Sequence, residues 1–232
     1  MNMTTPRQLP LDLGHEPGYA RDDLIVAGSN RAAVELIDTW PQWPSPFVVL
    51  AGPTGAGKTH LAAIWKANSD AIVVDPGAID KNTLEQATRR PILIDNIGGE
   101  AIDETGLFHL MNIVRQSGST MLMTSRRWPI NWPIKLPDLA SRLKAASTVE
   151  ISEPDDFLLT AVIHKLFADR QVSVEPQLVS YLVSRIERSL STASRVVDKL
   201  DSAALEQKTR ITRTLAASVI NAIDEGQSDL GI

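Results

Sequence analysis

A stretch with the composition of a phosphate-binding loop, "GPTGAGKT", runs from Gly52 to Thr59. It follows the apolar segment "FVVLA" and leads into "HLAAIWKA", which has the pattern of a helix. Glycines in such a loop let backbone N–H groups turn inward onto phosphates, Lys58 can reach the β- and γ-phosphates, and Thr59 can hold Mg²⁺. The helix N-terminus adds a favourable field for an anion. The loop in this strand–loop–helix setting predicts nucleotide binding.

The predicted nucleotide-contacting residues cover the whole loop. They are Gly52, Pro53, Thr54, Gly55, Ala56, Gly57, Lys58 and Thr59, with His60 immediately after them. We interpret His60 as a packing or hydrogen-bonding residue at this site and not as a catalyst.

A second acidic position lies at the end of another apolar segment, "ILID", which closes with Asp95. A carboxylate after a strand can be a turn or helix cap, but with a phosphate loop upstream we favour an Mg²⁺-associated aspartate. Asn96 follows it, and an amide cannot act as a general base. Asn96 could otherwise make a supporting hydrogen bond. In either case we expect nucleotide binding to be better developed than hydrolysis.

The elements that must position these residues alternate along the chain. Five short apolar runs have the character of strands buried on both faces: "FVVLAG", "AIVVD", "PILID", "TMLMTS" and "STVEI". Helical patterns lie between most of them, and "AGSNRAAVELIDTW" precedes the first, with Ser29 or Asn30 placed to cap it. The alternation predicts an α/β core with a parallel sheet and helices on both faces.

The pattern changes after Glu153, where four amphipathic segments predict a small all-helical unit. Pro176 fits the first turn of one of its helices, and Thr212 can cap the last one. The predicted domains are a flexible tail over 1–23, an α/β core over 24–153, a helical unit over 154–225 and a polar tail over 226–232.

Composition restricts the possible functions of this chain of 232 residues. Apolar residues make up 43% and charged residues 22%, the formal net charge is −5, and there is no cysteine. Disulfides, thiol catalysis and cysteine zinc sites are therefore excluded, and the acidic balance argues against a broad nucleic-acid surface. The sequence contains no apolar run long enough for a membrane span, so we expect a cytoplasmic protein without membrane contact.

Other conspicuous residues favour ordinary structural roles. Five tryptophans, of which all but Trp65 lie in Pro-rich segments, could stack on bases with help from Arg126 and Arg127, but core packing is the simpler interpretation. They are Trp40, Trp43, Trp65, Trp128 and Trp132. The histidines lack metal-ligand spacing, and Asp103 and Glu104 resemble solvated acids at a helix start.

The ordered set "VAGSNRAAVELI", "GPTGAGKTHLA", "ILIDN" and "LPDLASRL" resembles the AAA+ core of the bacterial replication initiator DnaA. It resembles more closely the shorter Hda family of DnaA-homologous regulatory inactivators, since "IDN" replaces "IDD" and a short apolar string lies near the N-terminus. The resemblance spans residues 8 to about 225. It implies an AAA+ P-loop NTPase core with a five-stranded parallel sheet and a small C-terminal all-helical lid.

The resemblance also implies roles for matching positions. Val26, in the stretch Val26 to Asn30, would lie near the adenine, and Arg195 in "TASRVVDKL" would be the lid arginine that contacts the nucleotide. Arg142 in "LASRL" would be an arginine finger that acts in trans. Thr124 and Ser125 would lie where the γ-phosphate is sensed. The next residue, Arg126, departs from the acidic pattern of the initiator.

The family implies a function with ADP or ATP and Mg²⁺ as cofactors. Such a protein docks on the DNA-loaded sliding clamp (the β subunit of DNA polymerase III), stimulates hydrolysis of DnaA-bound ATP and so limits replication initiation, with weak ATPase activity of its own. The clamp-binding peptide would be "QLPLDL", through Gln8, Leu9, Leu11 and Leu13. A homodimer is plausible, and sequence-specific DNA binding is not expected because no basic recognition helix follows the helical unit.

Two other functions fit the same motifs. A stand-alone DnaA-like ATPase could act as an initiation accessory or loader on DNA, although Asn96 and the acidic charge count against it. An adaptor could use its nucleotide only to stabilise the fold.

Overall fold

The computed structural model describes residues 21–99 and 102–228. These residues form two compact units. The core unit comprises 21–159 together with Arg188–Ser191, and the helical unit comprises Thr160–Glu187 and 192–228.

The core unit is built on a five-stranded sheet in which every recorded strand pair is parallel. The strands are β1 (Phe47–Ala51), β2 (Ile72–Val73), β3 (Ile92–Ile97), β4 (Met121–Ser125) and β5 (Ser147–Glu150). Their order across the sheet is β2-β3-β4-β1-β5. Each overlaps an apolar run that the sequence predicts as a strand, although β3 continues past its run, which ends at Asp95, to Ile97. The α/β class is confirmed.

Helices connect the strands and form the second unit. Those of the core unit are α1 (Arg31–Asp38), α2 (Lys58–Ser69), α3 (Lys81–Gln86), α4 (Glu104–Ser117) and α5 (Pro137–Lys144). Then follow α6 (Asp156–Asp169), α7 (Pro176–Val183), α8 (Leu190–Gln207) and α9 (Arg213–Ser228). The unit boundary falls inside α6, and the first residues of α8 belong to the core unit.

Strand β1 explains why the core has three layers. Its five residues are all buried, and their side chains alternate between the two faces of the sheet. Phe47 and Val49 join the apolar cluster formed with α4 and α5, whereas Val48 and Leu50 join the cluster formed with α1 and α2. Burial on both faces is the property that a continuous apolar run predicts for a central parallel strand.

The tryptophans mostly pack, as the sequence predicts. Trp43 stacks on the buried Trp65 with ring centroids 5.2 Å apart, and Trp40 meets Trp65 edge-on at 6.3 Å. Trp132 is 5% exposed and lies in the cluster on the opposite face. Trp128 is the exception, with 42% of its surface exposed.

The start of α1 differs from the sequence-based expectation. Asn30 occupies the N-cap position, but its side chain makes no capping hydrogen bond. The side chain instead accepts from the Ala27 backbone N–H at 2.8 Å and donates to the Ile25 carbonyl at 2.9 Å. Asn30 therefore shapes the loop before the helix, because its amide has both a donor and an acceptor to satisfy there.

Acidic residues at the start of α4 do more than face solvent. Asp103 caps the helix by accepting from the Gly106 N–H at 2.9 Å. Glu104 accepts from the backbone N–H groups of Lys135, at 3.0 Å, and of Leu136, at 2.6 Å. Since Leu136 precedes the first residue of α5, Glu104 joins the beginnings of α4 and α5.

The helical unit has its own apolar interior, to which α6 to α9 contribute. Its buried residues include Ile163, Phe167, Val179, Leu182, Val197, Leu200 and Ala216. Pro176 lies in the first turn of α7, and the Thr212 hydroxyl caps α9 by accepting from the Leu215 N–H at 3.3 Å. Both predictions are confirmed. Across the described residues no helix combines the length and the apolarity that a bilayer span requires.

Candidate functional site

The phosphate loop leaves the carboxyl end of β1, a strand that lies between β4 and β5. Gly52 begins the loop, and its N–H donates to the Ser125 carbonyl at the end of β4, at 3.1 Å. Within the loop, Gly57 has φ +100° and occupies the N-cap position of α2, which has no side-chain capping bond. The first N–H groups of α2 therefore have no side-chain cap and are available for an anion.

Gly55, in the middle of the loop, packs against the start of α8. The Leu190 N–H donates to the Gly55 carbonyl at 2.8 Å. A Cβ added at Gly55 would lie 2.0 Å from the Ser189 hydroxyl and 2.9 Å from that of Ser191, at a φ of +76°. The sequence does not predict this contact, because the two segments are far apart along the chain and neither contains a motif that indicates the other as its partner.

Lys58 is only 8% exposed and points back into its own loop. Its Nζ donates to the carbonyls of Gly52, at 2.8 Å, and Pro53, at 2.7 Å. Burial lowers the pKa of the Lys58 ammonium, Arg126 lowers it further, and Asp95 acts in the opposite direction. An ammonium in this position can donate to phosphate oxygens, which are stronger acceptors than carbonyls.

Asp95 lies at the centre of a polar cluster with two threonines. The Thr59 hydroxyl donates to Asp95 at 3.1 Å, and the fully buried Thr124 hydroxyl donates to the other carboxylate oxygen. Carboxylate and hydroxyl oxygens are ligands that suit Mg²⁺, which takes its remaining ligands from water and phosphates. Thr59 and Asp95 therefore fit the predicted metal role.

Asn96 follows Asp95 in a left-handed conformation, with φ +59°. Its N–H donates to the Thr124 hydroxyl at 2.8 Å, and the β3–β4 register shifts between Ile94 and Ile97. Asparagine tolerates this backbone conformation better than most residues. Its side chain is exposed beside the Asp95 cluster. This arrangement gives the backbone N–H of Asn96 a supporting hydrogen bond.

The segment predicted to lie near the adenine adjoins the residues that follow β5. The Ser152 N–H donates to the Ser29 carbonyl at 3.1 Å, and the Ile151 N–H donates to the Ala51 carbonyl at 2.8 Å. Val26 is 38% exposed on this segment. His60 is half-buried in the first turn of α2.

Arg142 lies on α5 and contacts α4 of the same chain. Its guanidinium is 4.4 Å from the Phe108 ring centroid, and it donates a hydrogen bond to the Asn112 side-chain oxygen. Arg142 is half-buried as a result. The sequence predicts its role but not these partners.

Two predicted groups of residues are not part of the described core unit. Arg195 is exposed on α8, within the helical unit. The proposed clamp-binding residues Gln8, Leu9, Leu11 and Leu13 fall outside the part of the chain that the structure describes.

Comparison with known proteins gives a distant relative in sequence. No protein-family model matches the chain. An uncharacterized protein of Haemophilus influenzae is 24% identical over 234 residues, a match that covers 93% of this chain and 99% of the relative.

Comparison with solved structures gives a clearer result for the fold. Domain III of the replication initiation protein DnaA from Thermotoga maritima matches with a TM-score of 0.76 and 18% identity, over 89% of this chain and 97% of that domain. AMPPCP-bound DnaA from Aquifex aeolicus matches with a TM-score of 0.68 and 19% identity, over 83% and 68%. The RuvB Holliday junction branch migration motor of Thermotoga maritima matches with a TM-score of 0.68 and 16% identity, over 88% and 72%. The chain therefore has the AAA+ P-loop NTPase fold, in a form similar to that of DnaA.

Proposed function

We propose that this chain is a nucleotide-bound AAA+ regulator that docks on the DNA-loaded sliding clamp and stimulates hydrolysis of DnaA-bound ATP. The nucleotide-binding part of this proposal is supported by the grouping of Lys58, Thr59 and Asp95 at the carboxyl edge of a DnaA-like sheet. A solved relative with this fold binds AMPPCP, which supports ADP or ATP as the ligand.

Lys58 would bind the phosphates and the loop N–H groups would surround them. Val26 and the lid arginine Arg195 would hold the rest of the nucleotide. Thr59 and Asp95 would hold Mg²⁺, which supplies charge neutralisation for the phosphates when it is bound. Since Asn96 offers an amide where a general base would be useful, we expect this chain to turn over ATP slowly.

Arg142 would act on the partner's nucleotide and not on its own. A guanidinium at a phosphoryl-transfer site stabilises the charge that develops in the transition state, and in GTPases such arginines contribute about 10³–10⁵ in rate. The contacts with Phe108 and Asn112 keep the side chain at a defined place on α5 and α4. Such positioning lowers the entropy cost of presenting the arginine to DnaA.

The test measures hydrolysis of DnaA-bound ATP in the presence of clamp loaded on DNA. The unaltered protein should stimulate hydrolysis and Arg142→Ala should not. Asn112→Ala keeps the guanidinium but removes its hydrogen bond, so it should stimulate less than the unaltered protein and more than Arg142→Ala. Lys144→Ala, which removes an exposed cation from the same helix, is the matched control and should stimulate normally. Stimulation by Arg142→Ala equal to that of the unaltered protein would refute the finger assignment.

The clamp-binding part of the proposal rests on the sequence of the N-terminal string. Gln8→Ala combined with Leu11→Ala should abolish clamp binding in a pull-down and leave nucleotide binding unchanged. Clamp binding retained by this double variant would exclude the peptide as the docking element.

A second candidate function is that of a stand-alone DnaA-like ATPase acting on DNA, favoured by the complete set of Lys58, Thr59 and Asp95. It predicts substantial ATP turnover by the chain alone, lost in Lys58→Ala, and salt-sensitive DNA binding. The regulator proposal predicts neither.

Self-association through the surface that carries Arg142 would compete with DnaA binding. Light scattering of the purified protein would show whether a homodimer forms.

A further inference from the structure

The loop between β4 and α5 presents two large apolar side chains to solvent. Trp128 is 42% exposed and Ile130 is 66% exposed, and the buried Pro129 lies between them. Single exposed apolar residues are common on protein surfaces and need no explanation. Trp128 and Ile130 differ because they lie together on one loop. The other large apolar side chains that are exposed among the described residues are separated along the sequence: Val26, Val73, Phe157 and Leu205.

Hydrogen bonds fix the backbone of this loop. The Asn131 N–H donates to the Trp128 carbonyl at 2.9 Å within a turn of 3₁₀ helix, Pro129–Asn131. The indole N–H of the buried Trp132 donates to the Ser125 hydroxyl at the end of β4, at 3.0 Å. A partner would therefore meet a loop that is already ordered, which lowers the entropy cost of binding.

The same loop is joined to the two helices that hold Arg142. Its 3₁₀ turn packs against α5, the helix that carries Arg142. Where the loop enters α5, the N–H groups of Lys135 and Leu136 donate to the Glu104 carboxylate on α4. Arg142 also contacts α4. The loop is thus continuous with the surface from which the proposed arginine finger would act.

The side chains of the loop favour a protein and not a nucleic acid as the partner. Trp128 could stack on a base, but Ile130 is more exposed and has no aromatic face to offer. Tryptophan is enriched at the energetic centres of protein interfaces, where an apolar side chain fills a pocket of the partner. Arg127 and Lys135 are exposed cations on either side of the pair, and residues 127–136 include no acid. A complementary surface would therefore be an apolar recess with an acidic rim.

We propose that Trp128 and Ile130 form an apolar anchor that docks in a recess with an acidic rim on the AAA+ domain of DnaA. The inference rests on the proposed function and adds a second contact with the same partner. Arg142 would act on the transition state of hydrolysis, whereas the anchor would supply affinity for DnaA.

The experiment titrates ATP-bound DnaA against a fixed amount of this protein assembled on DNA-loaded clamp and measures the initial rate of hydrolysis. Trp128→Ser combined with Ile130→Ser should raise the half-saturating DnaA concentration on the order of tenfold. The maximal rate should stay the same, because Arg142 is intact. Arg142→Ala should remove the stimulated rate at every DnaA concentration.

Two further variants separate a docking role from a loss of structure. Phe157→Ser combined with Leu205→Ser is the matched control, because it removes one exposed aromatic and one exposed aliphatic side chain elsewhere on the chain. It should behave as the unaltered protein does. Trp128→Phe combined with Ile130→Leu keeps an apolar pair and should retain most of the affinity for DnaA. Circular dichroism and the melting temperature check that each variant is folded.

An unchanged half-saturating concentration in the Trp128→Ser, Ile130→Ser variant would overturn the inference, and so would an equal increase in the control variant. Two other partners have their own signatures in a variant whose response to DnaA is normal. Loss of a homodimer in light scattering would assign the pair to a second copy of this chain, and loss of binding to a fluorescent single-stranded oligonucleotide would assign it to nucleic acid. Either result would overturn the inference. If the unaltered protein stimulated no hydrolysis at any DnaA concentration, the proposed function would fail, and the inference with it.

Discussion

At the scale of single residues, Thr124 organises the edge of the sheet. Its buried hydroxyl donates to Asp95 and accepts from the Asn96 N–H, so one oxygen fixes the carboxylate and the left-handed turn that follows it. A buried polar group whose partner is removed costs more than an ordinary hydrogen bond contributes. The position of the proposed magnesium ligand therefore depends on a residue that need not touch the metal.

Thr124→Val should lower the free energy of unfolding by about 1–3 kcal/mol, because the Asn96 N–H loses its partner while the side-chain volume is kept. Urea denaturation measures this loss. Thr124→Ser keeps the hydroxyl and removes one methyl group, so it should cost about 1 kcal/mol or less. Equal losses in the two variants would show that packing, and not the hydroxyl, is the important contribution.

Lys58 gives a prediction about pH. Its folded-state pKa lies below the ordinary value of 10.5, chiefly through burial. Between these two values the unfolded chain holds a proton that the folded protein has released, so stability rises with pH across that window. Unfolding free energies of the unaltered protein and Lys58→Met, compared from neutral pH up to about 10, should show a steeper rise for the unaltered protein. If the unfolding free energy of the unaltered protein minus that of Lys58→Met stayed constant or fell as the pH rises, the lowered pKa of Lys58 would be contradicted.

At the scale of elements, the phosphate loop is held by the start of α8 as well as by β1 and α2. The hydrogen bond from Leu190 to Gly55 and the two serine hydroxyls around that glycine leave no room for a side chain. These contacts hold the loop in a defined shape, which reduces the ordering cost of binding.

Gly55→Ala should destabilise the protein by at least about 1–2 kcal/mol, since it combines a left-handed backbone with a steric clash. It should also weaken ADP binding. Gly28→Ala is the matched control for stability, because nothing lies within 4 Å of the added Cβ and Gly28 has no recorded left-handed φ. Chemical denaturation of both variants checks the prediction, which fails if their midpoints coincide.

The elements themselves could be predicted from sequence because strand burial and helical amphipathicity are local patterns. The β1 run and the loop after it predict a central strand that ends in a phosphate site, and the pairing of Asp95 with Thr59 follows from parallel strands ending at one edge. The contacts of Gly55 with Leu190 and of Glu104 with Leu136 could not be predicted. Each joins segments distant in sequence and includes at least one backbone group, which every residue carries. Asn30 occupies the predicted N-cap position, but its amide bonds to groups of the preceding loop and not to the helix N–H groups, because both kinds of partner lie near it in sequence.

At the scale of the whole molecule, the described residues form two compact units. Lys58, Thr59 and Asp95 belong to the core unit, and Arg195 belongs to the helical unit. A ligand that binds only the folded protein stabilises it by mass action. ADP should therefore stabilise the complete chain.

ADP at about 100 times its dissociation constant should add about 2.7 kcal/mol to the free energy of unfolding. For a protein of this size that corresponds to a rise in melting temperature on the order of 5–10 °C. Differential scanning fluorimetry with and without ADP measures the rise, and Lys58→Ala should abolish it.

Arg195→Ala distinguishes two cases. A smaller rise in melting temperature means that the helical unit contributes binding energy, and an unchanged rise means that the core unit alone holds the nucleotide. An unchanged melting temperature of the unaltered protein at saturating ADP would exclude nucleotide as a stabilising ligand of this fold and, with it, the nucleotide-dependent part of the proposed regulation.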